Sequence, residues 1–136
     1  MSPFYNFLVL GIDIVKNERI KTAVERFGDR FLSRVYTQKE LEYCKAQKCF
    51  FECLSARWAC KEAVLKAFYQ RFGIVLKLSQ IEVLGDRGKP AKVNILGDDL
   101  KGMLESVSIW VSISHERDYS VAVALIEAHS YGLLSL

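Results

Sequence analysis

Asp13 interrupts an apolar run, Leu8-Val-Leu-Gly-Ile-Asp-Ile-Val15. An ionised carboxylate is costly in such a setting without a partner. Two readings stand: a strand-end Asp that faces solvent or caps the following helix, or a ligand for a hard cation. A second group of charges lies between Leu54 and Phe72. At helical spacing Leu54, Trp58, Leu65, Phe68 and Phe72 form one apolar stripe; Lys61 falls within it, and Glu62 and Lys66, spaced i, i+4, run along its edge. A surface Glu–Lys pair of this spacing contributes only about 0.2–0.5 kcal/mol. Three charges on or beside a buried stripe must either snorkel or line a cleft. Asp86-Arg-Gly-Lys-Pro90 offers a flexible Gly88, a phosphate-seeking Lys89 and the flat apolar surface of Pro90, and it is equally an ordinary hairpin turn. His115 closes Ser112-Ile-Ser-His at a strand end, where a histidine serves structure or catalysis.

The elements that must position these residues follow from periodicity. Phe7–Val15 reads as a buried strand, with Gly11 permitting close backbone approach. Asn17 is placed to cap a first helix in which Ile20, Val24, Phe27 and Phe31 recur at helical spacing. Thr37-Gln-Lys-Glu40 is a capping box that starts a short second helix. A long third helix covers Cys49 to Phe72 and stops at Gly73. On it, Ala56, Ala59, Ala63 and Ala67 make a small-residue face that another element can approach closely. Leu78–Leu84 and Pro90–Ile95 flank the Gly-rich turn as a hairpin, Asp98 caps a brief helix to Glu105, and strands Ser108–Ser114 and Tyr119–Glu127 follow. One strand, then helices, then mostly strands predicts an α+β domain: an antiparallel sheet packed with a long central helix.

Composition narrows the class. The 136 residues are 51% apolar with only eight Gly and two Pro, which excludes disorder and predicts one compact domain. The apolar opening is far shorter than the roughly 18 residues of a membrane span, and no basic segment precedes it, so no signal peptide is expected. Cys44, Cys49, Cys53 and Cys60 crowd into one helix-like region without the C-x2-C knuckle of a zinc ribbon, and are read as reduced thiols of a cytosolic protein. The net charge of +3 is too mild to argue for nucleic acid. It is unevenly placed: Lys16–Lys48 holds nine basic and five acidic residues, and Arg19, Arg26 and Arg30 fall at i, i+7, i+11. That face suits an acidic partner.

Taken in order, Gly-Ile-Asp13-Ile-Val, Arg19-Ile, Phe31-Leu-Ser-Arg-Val-Tyr36-Thr, Ala56-Arg-Trp-Ala-Cys-Lys61-Glu62-Ala-Val-Leu-Lys66-Ala, Gly88-Lys-Pro90, Ser112-Ile-Ser-His115 and Val121-Ala-Val-Ala resemble the bacterial holo-[acyl-carrier-protein] synthases, the short, trimeric members of the 4′-phosphopantetheinyl transferase superfamily. The motifs run from about residue 8 to 127. The resemblance implies that family's fold and transfer of 4′-phosphopantetheine from coenzyme A to a serine of apo acyl carrier protein in fatty-acid biosynthesis, with release of adenosine 3′,5′-bisphosphate. It implies Mg²⁺ held by Asp13 and Glu62, with Lys66 neutralising the leaving phosphate. Arg57, Lys61 and His115 match positions for the coenzyme A phosphates, and Gly88, Lys89 and Pro90 for its adenine end. Arg19, with Arg26 and Arg30 by spacing, would dock the carrier protein. Glu62 or a metal-bound water would take the serine proton. A homotrimer with sites between subunits would account for the alanine face. Cys60 departs from the small residue expected there.

Overall fold

The computed structural model describes residues 7–85 and 88–129. In chain order the elements are β1 (Phe7–Lys16), α1 (Asn17–Phe27), α2 (Asp29–Val35), α3 (Gln38–Lys45), α4 (Phe50–Phe72), β2 (Ile81–Leu84), β3 (Lys92–Ile95), α5 (Lys101–Leu104), β4 (Val107–His115) and β5 (Tyr119–Ala128). Single 3₁₀ turns precede β2 and α5. The architecture is α+β, as the order of elements predicts. A three-stranded antiparallel sheet has the order β1-β5-β4, and β2 and β3 form a separate hairpin.

The 23-residue α4 lies across one face of the large sheet. Small residues on both sides make the approach close. Ala59, Ala63 and Ala67 are wholly buried, opposite Gly11 of β1 and Ala122 and Ala124 of β5. A Cβ on Gly11 would run into the carbonyl of Ala63 and stand 2.9 Å from the amide of Ala67. The alanine face is therefore filled by this chain's own sheet, and the expectation that it receives a second subunit is corrected. Phe68, Leu54, Val64, Ile81 and Ile126 complete the core.

Local signals of α3 and α4 are realised. The Thr37–Glu40 capping box is present in both directions, and Gly73 ends α4 in the left-handed region at φ 70°. Other expectations are corrected. Asn17 does not cap: it is the first residue of α1, and its side chain donates to the Glu116 and Arg117 carbonyls of the β4–β5 turn and accepts from the Ser120 hydroxyl of β5. The single first helix is two, broken at Gly28 (φ 55°), and Phe27 is left exposed. Asp98 makes no cap; Gly97 occupies that position. The β1 run is buried on one face only: Gly11 and Val15 are covered, whereas Leu8, Leu10, Ile12 and Ile14 are each about 60% exposed. The cysteines are not all thiols. Cys44 of α3 and Cys53 of α4 form a disulfide, because the α3–α4 turn brings their Cα atoms to 5.5 Å. The thiol argument for a cytosolic setting falls with it.

Candidate active site

The strand parity that buries Gly11 and Val15 turns Asp13 toward α4, and the missing side chain at Gly11 draws β1 close enough for Asp13 to be reached from that helix. Lys66 Nζ stands 2.9 Å from Asp13 Oδ1 and donates to the carbonyl of Ile12 at 3.1 Å. Glu62 lies one helical turn before Lys66. Burial raises its proton affinity first, and the negative charge of Asp13 raises it further, while Lys66 lowers it. The Asp13 side chain is 16% exposed and that of Lys66 is 51% exposed, so the cluster opens to solvent. Two carboxylates and one ammonium thus converge from β1 and α4.

These donors fit a hard cation. Carboxylate oxygens are the ligands Mg²⁺ takes, and it commonly needs one or two of them alongside water and substrate phosphates. Among the described residues no group of three or more His, Cys, Asp or Glu gathers to make a closed metal cage. The mutual electrostatic strain between Asp13 and Glu62 is what a divalent ion would relieve.

Arg57 is nearly buried on α4. Its guanidinium stacks 4.3 Å over the Tyr43 ring, Nη1 donates to Cys53 Sγ at 3.5 Å and Nη2 to Gly85 O at 3.4 Å. Its Nε has no hydrogen-bond partner among the described residues. Burial lowers the proton affinity of the group, with Tyr43 and Glu40 opposing. Gly88, Lys89 and Pro90 are exposed at the β2–β3 turn, Gly88 at φ 83°; Asp86 and Arg87 lie outside the described residues. His115 is exposed at the end of β4. No hydrogen bond or ion pair among the described residues joins it to the Asp13 cluster.

Lys61 is the correction. Expected at a coenzyme A phosphate, it is fully buried and its ammonium is held by Glu40 Oε1 at 2.7 Å, by Leu78 O at 2.9 Å and by Ile81 O. Three N–H donors meet three acceptors inside the fold, which leaves none for a phosphate. Arg30 also moves. It belongs to α2, not to the helix of Arg19 and Arg26, since the chain breaks at Gly28. There it lines, with Phe27, Phe31, Arg34, Val35 and Trp58, an apolar pocket of about 340 Å³. Arg19 and Arg26 are exposed on α1. Spacing marks Glu40 only as half of a capping box and Trp58 only as part of an apolar stripe, and gives Arg34 no role of its own. Of the lining residues, Arg30 is the one to which the sequence gives a binding role.

The 4′-phosphopantetheinyl transferase superfamily model matches residues 9–124. A holo-[acyl-carrier-protein] synthase of Aquifex aeolicus is 58% identical over 122 residues, covering 90% of this chain and 100% of that protein. One from a Hydrogenobaculum species is 44% identical over 87% of this chain and 94% of its own length. The solved complex of an ACPS with CoA from Chronobacterium ammoniagenes superposes with a TM-score of 0.76 at 28% identity, covering 90% of this chain and 98% of that one. The chain belongs to the 4′-phosphopantetheinyl transferase superfamily. Within it, this is an enzyme of the holo-[acyl-carrier-protein] synthase kind.

Proposed function

We propose that the chain, acting as one domain, transfers 4′-phosphopantetheine from coenzyme A to a serine of apo acyl carrier protein in a Mg²⁺-dependent reaction of cytoplasmic fatty-acid biosynthesis. The carrier's serine oxygen bonds to the phosphorus that bears pantetheine, the pyrophosphate bridge breaks, and adenosine 3′,5′-bisphosphate leaves. The convergence of Asp13, Glu62 and Lys66 at one solvent-open edge, in a chain so close to named synthases, carries this reading.

Asp13 and Glu62 would hold Mg²⁺, which when bound offsets charge on the pyrophosphate as the bridge breaks. Lys66 keeps Asp13 oriented and places a positive charge beside the leaving phosphate. The serine proton passes to Glu62 or to a bound water. Arg57 and His115 would meet the coenzyme A phosphates, and Gly88–Pro90 its adenine end. Arg19, Arg26 and Arg30 dock the carrier. The apolar floor and cationic rim of the Phe27–Trp58 pocket suit an acidic protein that inserts one apolar side chain. The uncovered apolar face of the large sheet supports the homotrimer.

The test is intact-mass analysis of apo acyl carrier protein incubated with this protein, coenzyme A and Mg²⁺, beside an EDTA control. The expected result is a mass gain of one phosphopantetheine that EDTA abolishes. No gain on several apo carriers, from protein that is folded and binds coenzyme A, overturns the transferase reading in favour of a binding subunit. A gain that EDTA leaves intact overturns the metal assignment alone.

A further inference from the structure

The buried Glu40–Lys61 pair reaches well beyond itself. Lys61 Nζ holds Leu78 O and Ile81 O as well as Glu40. Glu40 Oε1 also accepts from the Thr37 amide at 2.8 Å, and Oε2 accepts from the Val83 amide at 2.8 Å. Both side chains have no exposure. The pair therefore ties the start of α3, the middle of α4, the Leu78–Gln80 turn and β2 to one another. One helical turn before Lys61, Arg57 reaches Gly85 O just beyond β2. Two cations spaced i, i+4 on α4 thus grip both ends of β2, which pairs with β3 through Ile81–Ile95 and Val83–Val93. Glu62 and Lys66 lie about 100° and 140° around α4 from Lys61, so the catalytic cluster and the hairpin hang from different sides of one helix.

We propose that the Glu40–Lys61 pair is a positioning device for coenzyme A, which fixes the β2–β3 hairpin in one register on α4 so that Gly88–Pro90 meet the substrate, while Lys61 itself contacts no phosphate. The proposal rests on the assignment of Gly88–Pro90 to coenzyme A. A buried ion pair is no more stabilising than an apolar pair of the same shape. What it adds here is direction. An apolar pair would permit β2 to slide along α4, whereas bonds to Leu78, Ile81 and Val83 are broken by a slip of one residue.

The decisive variant is the double substitution Glu40→Leu with Lys61→Met, which removes both charges together. It should fold, turn over with nearly unchanged kcat and carrier KM, and show a coenzyme A KM raised about 10- to 100-fold. Amide exchange at Val83 and Val93 should quicken in the free protein. The penalty should not add to that of Lys89→Ala when the changes are combined, since a displaced hairpin already withholds Lys89. An unchanged coenzyme A KM, or full additivity with Lys89→Ala, overturns the proposal. Should the double variant fail to fold, amine labelling of the wild-type protein decides. Lys61 should stay unmodified with or without coenzyme A while Lys66 is modified; labelling of Lys61 that coenzyme A blocks overturns the proposal. Lys89→Ala separates the two layers. If it leaves the coenzyme A KM unchanged, the hairpin assignment has failed and the positioning role with it. If it raises that KM and the double variant does not, the assignment stands and the positioning role is overturned.

Discussion

Glu62 loses water on folding and faces the like charge of Asp13, and both effects strengthen its hold on a proton. The folded state therefore binds that proton more tightly than the unfolded chain does, and stability falls as pH rises from the unfolded carboxylate pKa through the raised folded one. Replacing Glu62 by Gln removes the charge at neutral pH. Glu62→Gln should raise the Tm of the metal-free protein at pH 7, erase the further rise that Mg²⁺ gives the parent, and lower kcat/KM by about two orders of magnitude or more. Thermal melts with and without MgCl₂ read the first two effects. Equal Mg²⁺-induced shifts in parent and variant would remove Glu62 from the metal site. Asp13 was legible because a carboxylate in an apolar strand is an anomaly in any sequence. Lys61 is the same kind of anomaly, a charge on an apolar stripe, but its phosphate role came only from the resemblance; its true partner Glu40 lies 21 residues away and is locally explained as half of a capping box.

At the scale of elements, the close packing of β1 on α4 is what lets Lys66 reach Asp13. Gly11→Ala would force the two apart, since a Cβ there meets the backbone of Ala63 and Ala67, which cannot rotate away. The expected cost is about 3 kcal/mol, measured by urea unfolding, with transfer activity lost beyond what the unfolded fraction explains. A variant of parental stability would show that the strand and helix are not in contact there. The Cys44–Cys53 bond joins α3 to α4 across a sequence separation of nine, and constraint of so short a loop is worth about 3 kcal/mol. Reductant should lower the unfolding midpoint of the parent and leave Cys44→Ser/Cys53→Ser unmoved. Iodoacetamide on the unreduced native protein should take only exposed Cys49, because burial beside Glu40 pushes the Cys60 thiol up to about 12. An unchanged midpoint under reductant would dismiss the bond. Signals that act within one turn, such as the capping box and Gly73, were readable from spacing. The disulfide, the break at Gly28 and the grip on Asn17 from the β4–β5 turn were not, since each depends on where a distant segment folds back.

For the whole molecule, the outer face of the large sheet is the feature a single chain leaves unexplained. Across its rows Leu10 of β1 is in register with Leu125 of β5 and Trp110 of β4, and Ile12 with Val123, so the apolar side chains form one continuous surface. Leu10 and Trp110 are each 62% exposed. A strand as apolar on both faces as β1 makes sense when both faces are covered, and α4 covers only one. The same strand carries Asp13, and the Ile12 carbonyl beneath the outer face is held by Lys66, so the proposed assembly and the candidate active site share a backbone. Closure at three, as in the proposed trimer, requires a heterologous contact in which one part of the outer face of each copy meets a different part of the next. Sedimentation of the parent at micromolar concentration should give a three-chain mass. Leu10→Lys, which leaves the inner face of β1 untouched, should give a folded single chain with a normal far-ultraviolet spectrum and greatly reduced transfer. A parent that sediments as one chain with full activity would return the apolar face to the list of unexplained surfaces, and would require the coenzyme A cleft to be built from one chain alone.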